Sequence, residues 1–450
     1  MEKNKYDLTQ GNILNKLLVV AMPIMGTQFM QMTYNLTDMF WLGQLSSEAV
    51  AASGTVGMYL WLSMAFLMLG RMGAEIGVSQ NLGSNEFVLA RKYAHSSFWL
   101  ALFLGILFTA TMIIFCKPLI AFFNIREATV VADAELYMSI VALGIPFLFL
   151  TNVITGVFNG SGNSKIPFYL NAVGWVINMV LDPILIFTFE FGIAGAAWAS
   201  VIAQSTVCIT SMVAVRYFRS RPLKDFRFFE KLDKTCYPRI FSWGLPIAME
   251  SLFFTLLSML VARLVSGWGS DAIAVQRVSS QVESLSWLIA GGFASAVTAF
   301  IGQNFGAGRW ERIHKGFRIA TISMLVWGVF ITAVLFFFGG AIFSIFISDP
   351  HILELGVVCL QITAACQLTC CIEATTAGCL RGMGKTLPPS IVSITVNALR
   401  VPLAYYLATT VGLNGIWWAI SIGGIARGAI LFSYYLWASR KMPLSDAQTV

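Results

Sequence analysis

The chain has 450 residues, of which 57% are hydrophobic and 11% charged. A soluble domain carries about a quarter charged residues, so a globular, water-solvated surface is excluded and lipid must solvate most of this chain. The net charge of +7 would suit an anionic partner such as nucleic acid, but the placement of the basic residues, described below, excludes that reading.

Residues 1–16 are polar, and the first apolar segment is full-length with no small-residue cleavage site, so no signal peptide is read. Apolar stretches predict transmembrane helices at 17–42, 52–80, 95–116, 132–157, 168–190 and 192–217. A polar segment rich in both charges follows at 218–238. Six more spans are predicted at 240–265, 275–304, 319–347, 354–379, 388–410 and 413–438. Each is close to the ~20 residues that a helix needs to cross a bilayer.

Placing the amino terminus in the cytoplasm puts 22 of the 29 Lys and Arg residues on the cytoplasmic side. They include Lys3, Lys5, Lys16, Arg91, Lys92, Lys165, Arg309, Arg312, Lys315, Arg381, Lys385 and a crowd between Arg216 and Arg239. Only Lys117 and Arg126 fall outside. This is the positive-inside asymmetry, and it predicts a multi-pass protein of the cytoplasmic membrane with both termini cytoplasmic. Five of the eight cysteines (Cys359, Cys366, Cys370, Cys371 and Cys379) lie in one span at spacings that match no metal or redox motif. They read as small apolar packing residues.

Self-comparison reveals a tandem repeat. A shift of 223 residues brings Pro23-Ile24 onto Pro246-Ile247 and Gln80-Asn81-x-Gly83 onto Gln303-Asn304-x-Gly306. A shift of 222 aligns Gly156, Gly160 and Gly162 with Gly378, Gly382 and Gly384, and a shift of 220 aligns Gly192 and Gly195 with Gly412 and Gly415. Six spans per copy is an even number, so both copies insert in the same orientation, as parallel repeats do. The fold class that follows is an all-α integral membrane protein with twelve transmembrane helices in two pseudo-symmetric six-helix lobes. The boundaries read as an N-lobe at 1–217, a cytoplasmic linker at 218–238 and a C-lobe at 239–450.

Ionisable residues inside spans are costly and are functional candidates by default. Arg71 and Glu75 are four apart on one helix face and read as a mutually neutralising pair. Arg277 and Glu283 are spaced to meet partners on other helices, while Glu250, Arg263, Glu373 and Arg427 are read as snorkelling to an interface or reaching a cleft. Asp38 and Asp182 have no neutralising neighbour in sequence. Asp182 follows Asn178 by four residues, so the two share a face. Pro183 cannot donate to the carbonyl of Met179, which predicts a kink and a free oxygen beside the carboxylate. Carboxylate, amide and carbonyl oxygens suit Na⁺, and a buried carboxylate equally suits H⁺. In the second copy Asp38 aligns with Val261 and Asp182 with Val401 or Ala404. Fold stability alone therefore does not require the carboxylates, and the ion chemistry is expected in the first lobe. Methionines along the first span, with Tyr34 and Gln31 one and two turns before Asp38, suit varied amphipathic ligands. Gln31, Met32, Tyr34, Asn35 and Trp175 are the candidate substrate-lining residues.

Several motifs together carry a family resemblance. They are the early proline followed by Asp38-Met-Phe-Trp-Leu-Gly43, the two Gln-Asn-x-Gly copies, Gly302-Gln-Asn-Phe-Gly-Ala-Gly308 and Leu380-Arg-Gly-Met-Gly-Lys-Thr386. With them the chain resembles the multidrug and toxic compound extrusion (MATE) family along essentially its whole length, and within it the DNA-damage-inducible subfamily. The resemblance implies export of organic, often cationic compounds in exchange for Na⁺ or H⁺. No metal-binding His/Cys cluster or nucleotide loop appears, and His95, His314 and His351 are far apart, so neither a cofactor nor an enzymatic activity is expected. The resemblance also implies a first-lobe cation site at Asp38, Asn178 and Asp182, completed by Ala196 and Ser200 on the sixth helix. Arg71 and Glu75 depart from the small neutral residues of the family pattern on the second helix. A second reading is a lipid-linked precursor flippase of the same superfamily architecture, for which Arg263, Arg277 and Arg400 would supply basic character. The expected partners are small organic molecules and the bilayer, with no nucleic acid. A repeat that closes its own cleft points to a monomer.

Overall fold

The computed structural model describes residues 6–217, 233–347 and 349–443, and no strand occurs among them. Among the described residues, twelve helices are long and apolar enough to cross a membrane. In chain order they are α1 (Ile13–Leu45), α2 (Ser47–Gly83), α3 (Phe87–Ile114), α4 (Ala128–Gly160), α5 (Lys165–Thr188) and α6 (Ile193–Tyr217). The second set is α7 (Lys234–Ser266), α8 (Ser270–Gly306), α9 (Trp310–Ser344), α10 (Pro350–Gly382), α11 (Leu387–Val411) and α12 (Leu413–Ser439). An all-helical answer is the expected one, because lipid offers no partner for backbone groups left open by irregular structure or a sheet edge.

The helices outrun the apolar windows. The window for α9 opens at 319, yet the helix starts at Trp310 and includes Glu311, Arg312, His314 and Lys315. Those turns are polar because they extend past the hydrocarbon, which a hydropathy window does not register. Most of the linker read at 218–238 lies outside the described residues, as do Lys3 and Lys5.

The repeat has a packing meaning. In α4, Gly156 and Gly160 face α2 so closely that an added Cβ would meet the carbonyl oxygens of Arg71 at 2.8 Å and Glu75 at 2.6 Å. Their counterparts in α10, Gly378 and Gly382, press on the carbonyls of Ala294 in α8 at 2.5 Å and Thr298 at 2.7 Å. Thr298 Oγ1 also donates across this contact to the Gly378 carbonyl at 3.1 Å. Small residues four apart let helix backbones meet where no hydrophobic effect drives association. The aligned Gly162 and Gly384 both hold positive φ, 82° and 75°, in the turn that follows. Left-handed backbone of this kind favours glycine.

The compact units do not run in simple chain order. Gly26–Ala248 forms the body of one, and Leu8–Met25 joins the residues from Met249 onward in the other. Each exchange point falls just beyond a helix-internal proline, Pro23 in α1 and Pro246 in α7, where the missing backbone donor weakens helical continuity. In the first unit, Cys236, Ile240, Trp243 and Ile247 of α7 are buried against Leu69, Met72, Ile76, Tyr93 and Leu100. In the second, Leu17, Val20, Ala21 and Ile24 of α1 are buried with Ala290, Phe293 and Val297 of α8. The repeated Gln-Asn pair has a specific task there. Gln303 Oε1 accepts from the Leu8 amide at 2.9 Å, Asn304 Nδ2 donates to the Leu8 carbonyl at 3.3 Å, and Arg309 donates to the Thr9 carbonyl at 2.7 Å.

Candidate functional site

Three helices of the first unit converge on the predicted carboxylates. On α1, Gln31, Tyr34, Asn35 and Asp38 follow the spacing of one helix face. On α5, Trp175, Asn178 and Asp182 do the same, and Asn178 and Asp182 are both fully buried. On α6, Ala196 is fully buried and Ser200 nearly so. Gly195 explains how α6 approaches closely, since a Cβ there would fall 2.6 Å from the Leu185 carbonyl.

The polar geometry is uneven. Asn178 Nδ2 donates to Asp182 Oδ1 at 3.2 Å, which leaves the amide oxygen turned away from that bond. Asn178 Oδ1, Asp182 Oδ2 and Asp38 Oδ1 are all shielded from solvent and have no hydrogen-bond partner among the described residues. Asp38 as a whole is half-buried, while its Oδ1 is shielded from solvent. Asp182 lies within electrostatic reach of Asp38. Tyr34 ties α1 to α6, its hydroxyl lying 2.8 Å from Ser200 Oγ.

Buried polar atoms are normally satisfied, so three orphaned oxygens in one neighbourhood are a local exception. The set is made of hard oxygen donors with two negative charges available, which fits a small hard cation or a proton taken up by one of the carboxylates. Among the described residues no group of three or more His, Cys, Asp and Glu side chains is placed to hold a metal. Any cation here would rely on the amide and hydroxyl oxygens as well.

The break after Asp182 takes a specific form: α5 passes from α-helical geometry at Pro183 into a π-turn over Ile184–Thr188. A single π-turn inside an α-helix is a recurrent mark of functional sites. Tyr137 on α4 is a site residue that sequence reasoning missed. It is buried and lies within electrostatic reach of Asp38, Tyr34 and Asp182. Its signal was weak, a single phenol in an apolar helix, and its position depends on contacts between helices. Among the substrate-lining candidates, Gln31 and Asn35 are exposed and joined side chain to side chain at 3.4 Å. Met32 and Trp175 are half-buried, and the Trp175 indole Nε1 has no acceptor among the described residues.

The remaining intramembrane charges are mostly paired. Arg71 Nε lies 3.9 Å from Glu75, as the four-residue spacing suggested. Glu250 meets Arg381 at 3.1 Å, and Glu373 meets Arg427 at 3.2 Å. Glu283 is buried beside Thr363. Arg263 and Arg277 are exposed.

Twelve spanning helices in two compact units, with buried carboxylates inside a span, define a multi-pass membrane transporter. The MatE family model matches residues 23–184 and 246–406, one stretch in each repeat. The chain belongs to the MatE family, whose members are transporters and not enzymes. It is 26% identical over 431 residues to a probable multidrug resistance protein NorM of Thermotoga maritima, covering 94% of this chain and 92% of that protein. It is also 26% identical to a probable multidrug resistance protein YpnP of Bacillus subtilis, covering 96% of each. A MATE transporter solved in an outward-facing conformation superposes with a TM-score of 0.90 at 22% identity, covering 98% of this chain and 99% of the other. A MATE structure in a straight conformation gives 0.91 with the same identity and coverage.

Proposed function

We propose that this protein is a secondary antiporter that exports lipophilic, often cationic organic compounds in exchange for Na⁺ or H⁺ by alternating access. The observation that carries the reading is the trio of buried, unpartnered oxygens on Asp38, Asn178 and Asp182. Ala196 and Ser200 complete the proposed cation site, and Gln31, Met32, Tyr34, Asn35 and Trp175 line the path of the organic substrate. The multidrug names of the relatives support the substrate class. The distribution of Lys and Arg supports a cytoplasmic-membrane protein with both termini inside, and we take the working unit to be a monomer whose two sequence repeats, 1–217 and 239–450, are joined by 218–238 and exchange half-helices between the compact units.

Coupling requires only that ion and substrate prefer different conformers or compete for one carboxylate. From outside, the ion neutralises the Asp38–Asp182 pair and favours the conformer that releases substrate. Facing inward the ion leaves, and the freed negative charge favours a cationic amphiphile.

The test uses proteoliposomes loaded with a fluorescent cationic dye, under an imposed Na⁺ gradient and separately under a pH gradient. Dye movement under one gradient names the ion, and Asp182→Asn and Asp38→Asn reduce it to the rate of empty liposomes while the protein stays in the membrane. Wild-type export by either variant would sink the site assignment. No dye movement under either gradient would overturn antiport, and a lipid-flipping assay on the same liposomes would then test the flippase.

A further inference from the structure

A second polar cluster, two half-buried ion pairs beside a buried arginine, lies wholly within the other compact unit, on α7, α10, α11 and α12. Arg381 of α10 pairs with Glu250 of α7 at 3.1 Å, and Ser390 of α11 donates to the same carboxylate oxygen at 2.9 Å. Arg427 of α12 pairs with Glu373 of α10 at 3.2 Å and donates to Asn397 of α11 at 3.0 Å. Arg400 of α11 is the third guanidinium. It is 6% exposed, and its Nη2 donates to the neutral Ser258 hydroxyl at 3.2 Å. Its charge lies 6.0 Å from the centre of the Phe254 ring, and its Nε has no hydrogen-bond partner among the described residues.

The charge count decides what this cluster can accept. Two carboxylates are each matched by one arginine, and Arg400 is left with no carboxylate partner among the described residues while standing within electrostatic reach of Arg427. A net positive charge held inside a membrane span is expensive, and the neighbouring guanidinium adds repulsion. A guanidinium presents a planar fork of donors suited to carboxylate or phosphate oxygens. The backbone makes room for it: Gly423 of α12 lies against the Arg400 side chain, 3.5 Å from Cδ to an added Cβ. The cluster is thus poorly made for a second cation, because both of its acids are already neutralised.

We infer that Arg400, backed by Arg427 and flanked by Phe254, binds the single anionic group, carboxylate or phosphate, of an amphiphilic molecule whose apolar part lies against the Phe254 side. This goes beyond the antiport reading and does not depend on it, since the site lies in the other unit and is probed at equilibrium without any gradient.

The experiment measures binding of 1-pyrenebutyrate to the full-length protein in phosphatidylcholine nanodiscs, by fluorescence anisotropy against empty discs. A trimethylammonium probe with the same pyrenebutyl body is the control. Wild type binds the carboxylate at least about tenfold more tightly than the ammonium, and Arg400→Gln removes that preference. Arg400→Lys keeps the preference at reduced affinity, because the charge remains but the fork is lost. Glu373→Gln frees Arg427 and strengthens pyrenebutyrate binding by about threefold or more. A purely structural cluster gives no such gain, so this variant decides the matter even where Arg400→Gln fails to fold. Discs containing phosphatidylglycerol identify the source of the anion. Weaker pyrenebutyrate binding there assigns the site to a bilayer phosphate, and unchanged binding assigns it to a free amphiphile. Equal affinity for the two probes, or no change in pyrenebutyrate affinity with either Arg400→Gln or Glu373→Gln, overturns the inference.

Discussion

The Tyr34 hydroxyl and Ser200 Oγ, 2.8 Å apart, are the one direct polar link from α1 to α6 at the carboxylates among the described hydrogen bonds. A neutral hydrogen bond of this kind contributes about 1 kcal/mol net. Tyr34→Phe and Ser200→Ala should each lower stability by about that amount, with the double variant costing little more than either alone. Thermal unfolding of the purified variants checks this, and full additivity would mean that the two hydroxyls act separately. At this scale the sequence was informative where chemistry is costly. A carboxylate in a lipid-spanning helix demands a reason, so Asp38 and Asp182 are visible from their place in the predicted spans, and Asn178 follows from helical spacing. Tyr137 was not visible, because a phenol in an apolar helix is tolerated in many settings. Only the packing of α4 beside the other two helices gives it a role.

Helix contacts follow the repeat most closely where glycines permit backbone approach. Replacing Gly160 or Gly382 by Ala would force a Cβ to within 2.6 Å of the Glu75 carbonyl and 2.7 Å of the Thr298 carbonyl. Overpacking of this sort costs about 1–3 kcal/mol, so both variants should melt several degrees lower. Gly54→Ala, with open space at its Cβ position, should be nearly neutral. Equal melting of all three would show that α4 and α10 adjust freely. The start of α7 makes a second element-scale prediction. The Asp233 carboxylate accepts from Lys92 Nζ at 2.8 Å and from the Thr235 amide at 3.0 Å and hydroxyl at 2.6 Å. These donors hold its carboxyl well below the usual carboxylate range. With the folded pKa depressed, the bridge contributes fully at neutral pH and is lost only as pH falls below the ordinary aspartate value. Hydrogen exchange at the head of α7 should therefore stay protected through pH ~4 in the wild type. In Lys92→Gln, protection should fail at higher pH, and identical profiles would remove Lys92 from the account.

At the scale of the molecule, helix count, the repeat and the family were legible because each is written many times over in the chain. Twelve apolar runs and a shift near 223 residues need no tertiary information. The exchange of half-helices was not legible, although its marks were present in Pro23 and Pro246. A proline announces a weakened helix, but it does not say which neighbour each half will choose. That choice is made by surfaces such as the Leu69–Ile76 stretch of α2 and the Ala290–Val297 stretch of α8, whose partners lie far away in sequence. The arginine–glutamate pairs of the second unit, Glu250–Arg381 and Glu373–Arg427, were hidden for the same reason. Glu250 and Arg381 are 131 residues apart, and nothing local to either predicts the meeting.

The exchange also sets the order of events on the ribosome. The first unit is incomplete until Ile240, Trp243 and Ile247 have been synthesised, because they fill its core beside Leu69 and Tyr93. The half-helix from Leu8 to Met25, among the earliest residues made, waits until α8 arrives to cover it. Throughout translation of the intervening helices that segment must be sheltered by the insertion machinery or by lipid. A nascent chain stopped at 217 would thus lack part of its first core, whereas one extended to 248 would carry that core entire.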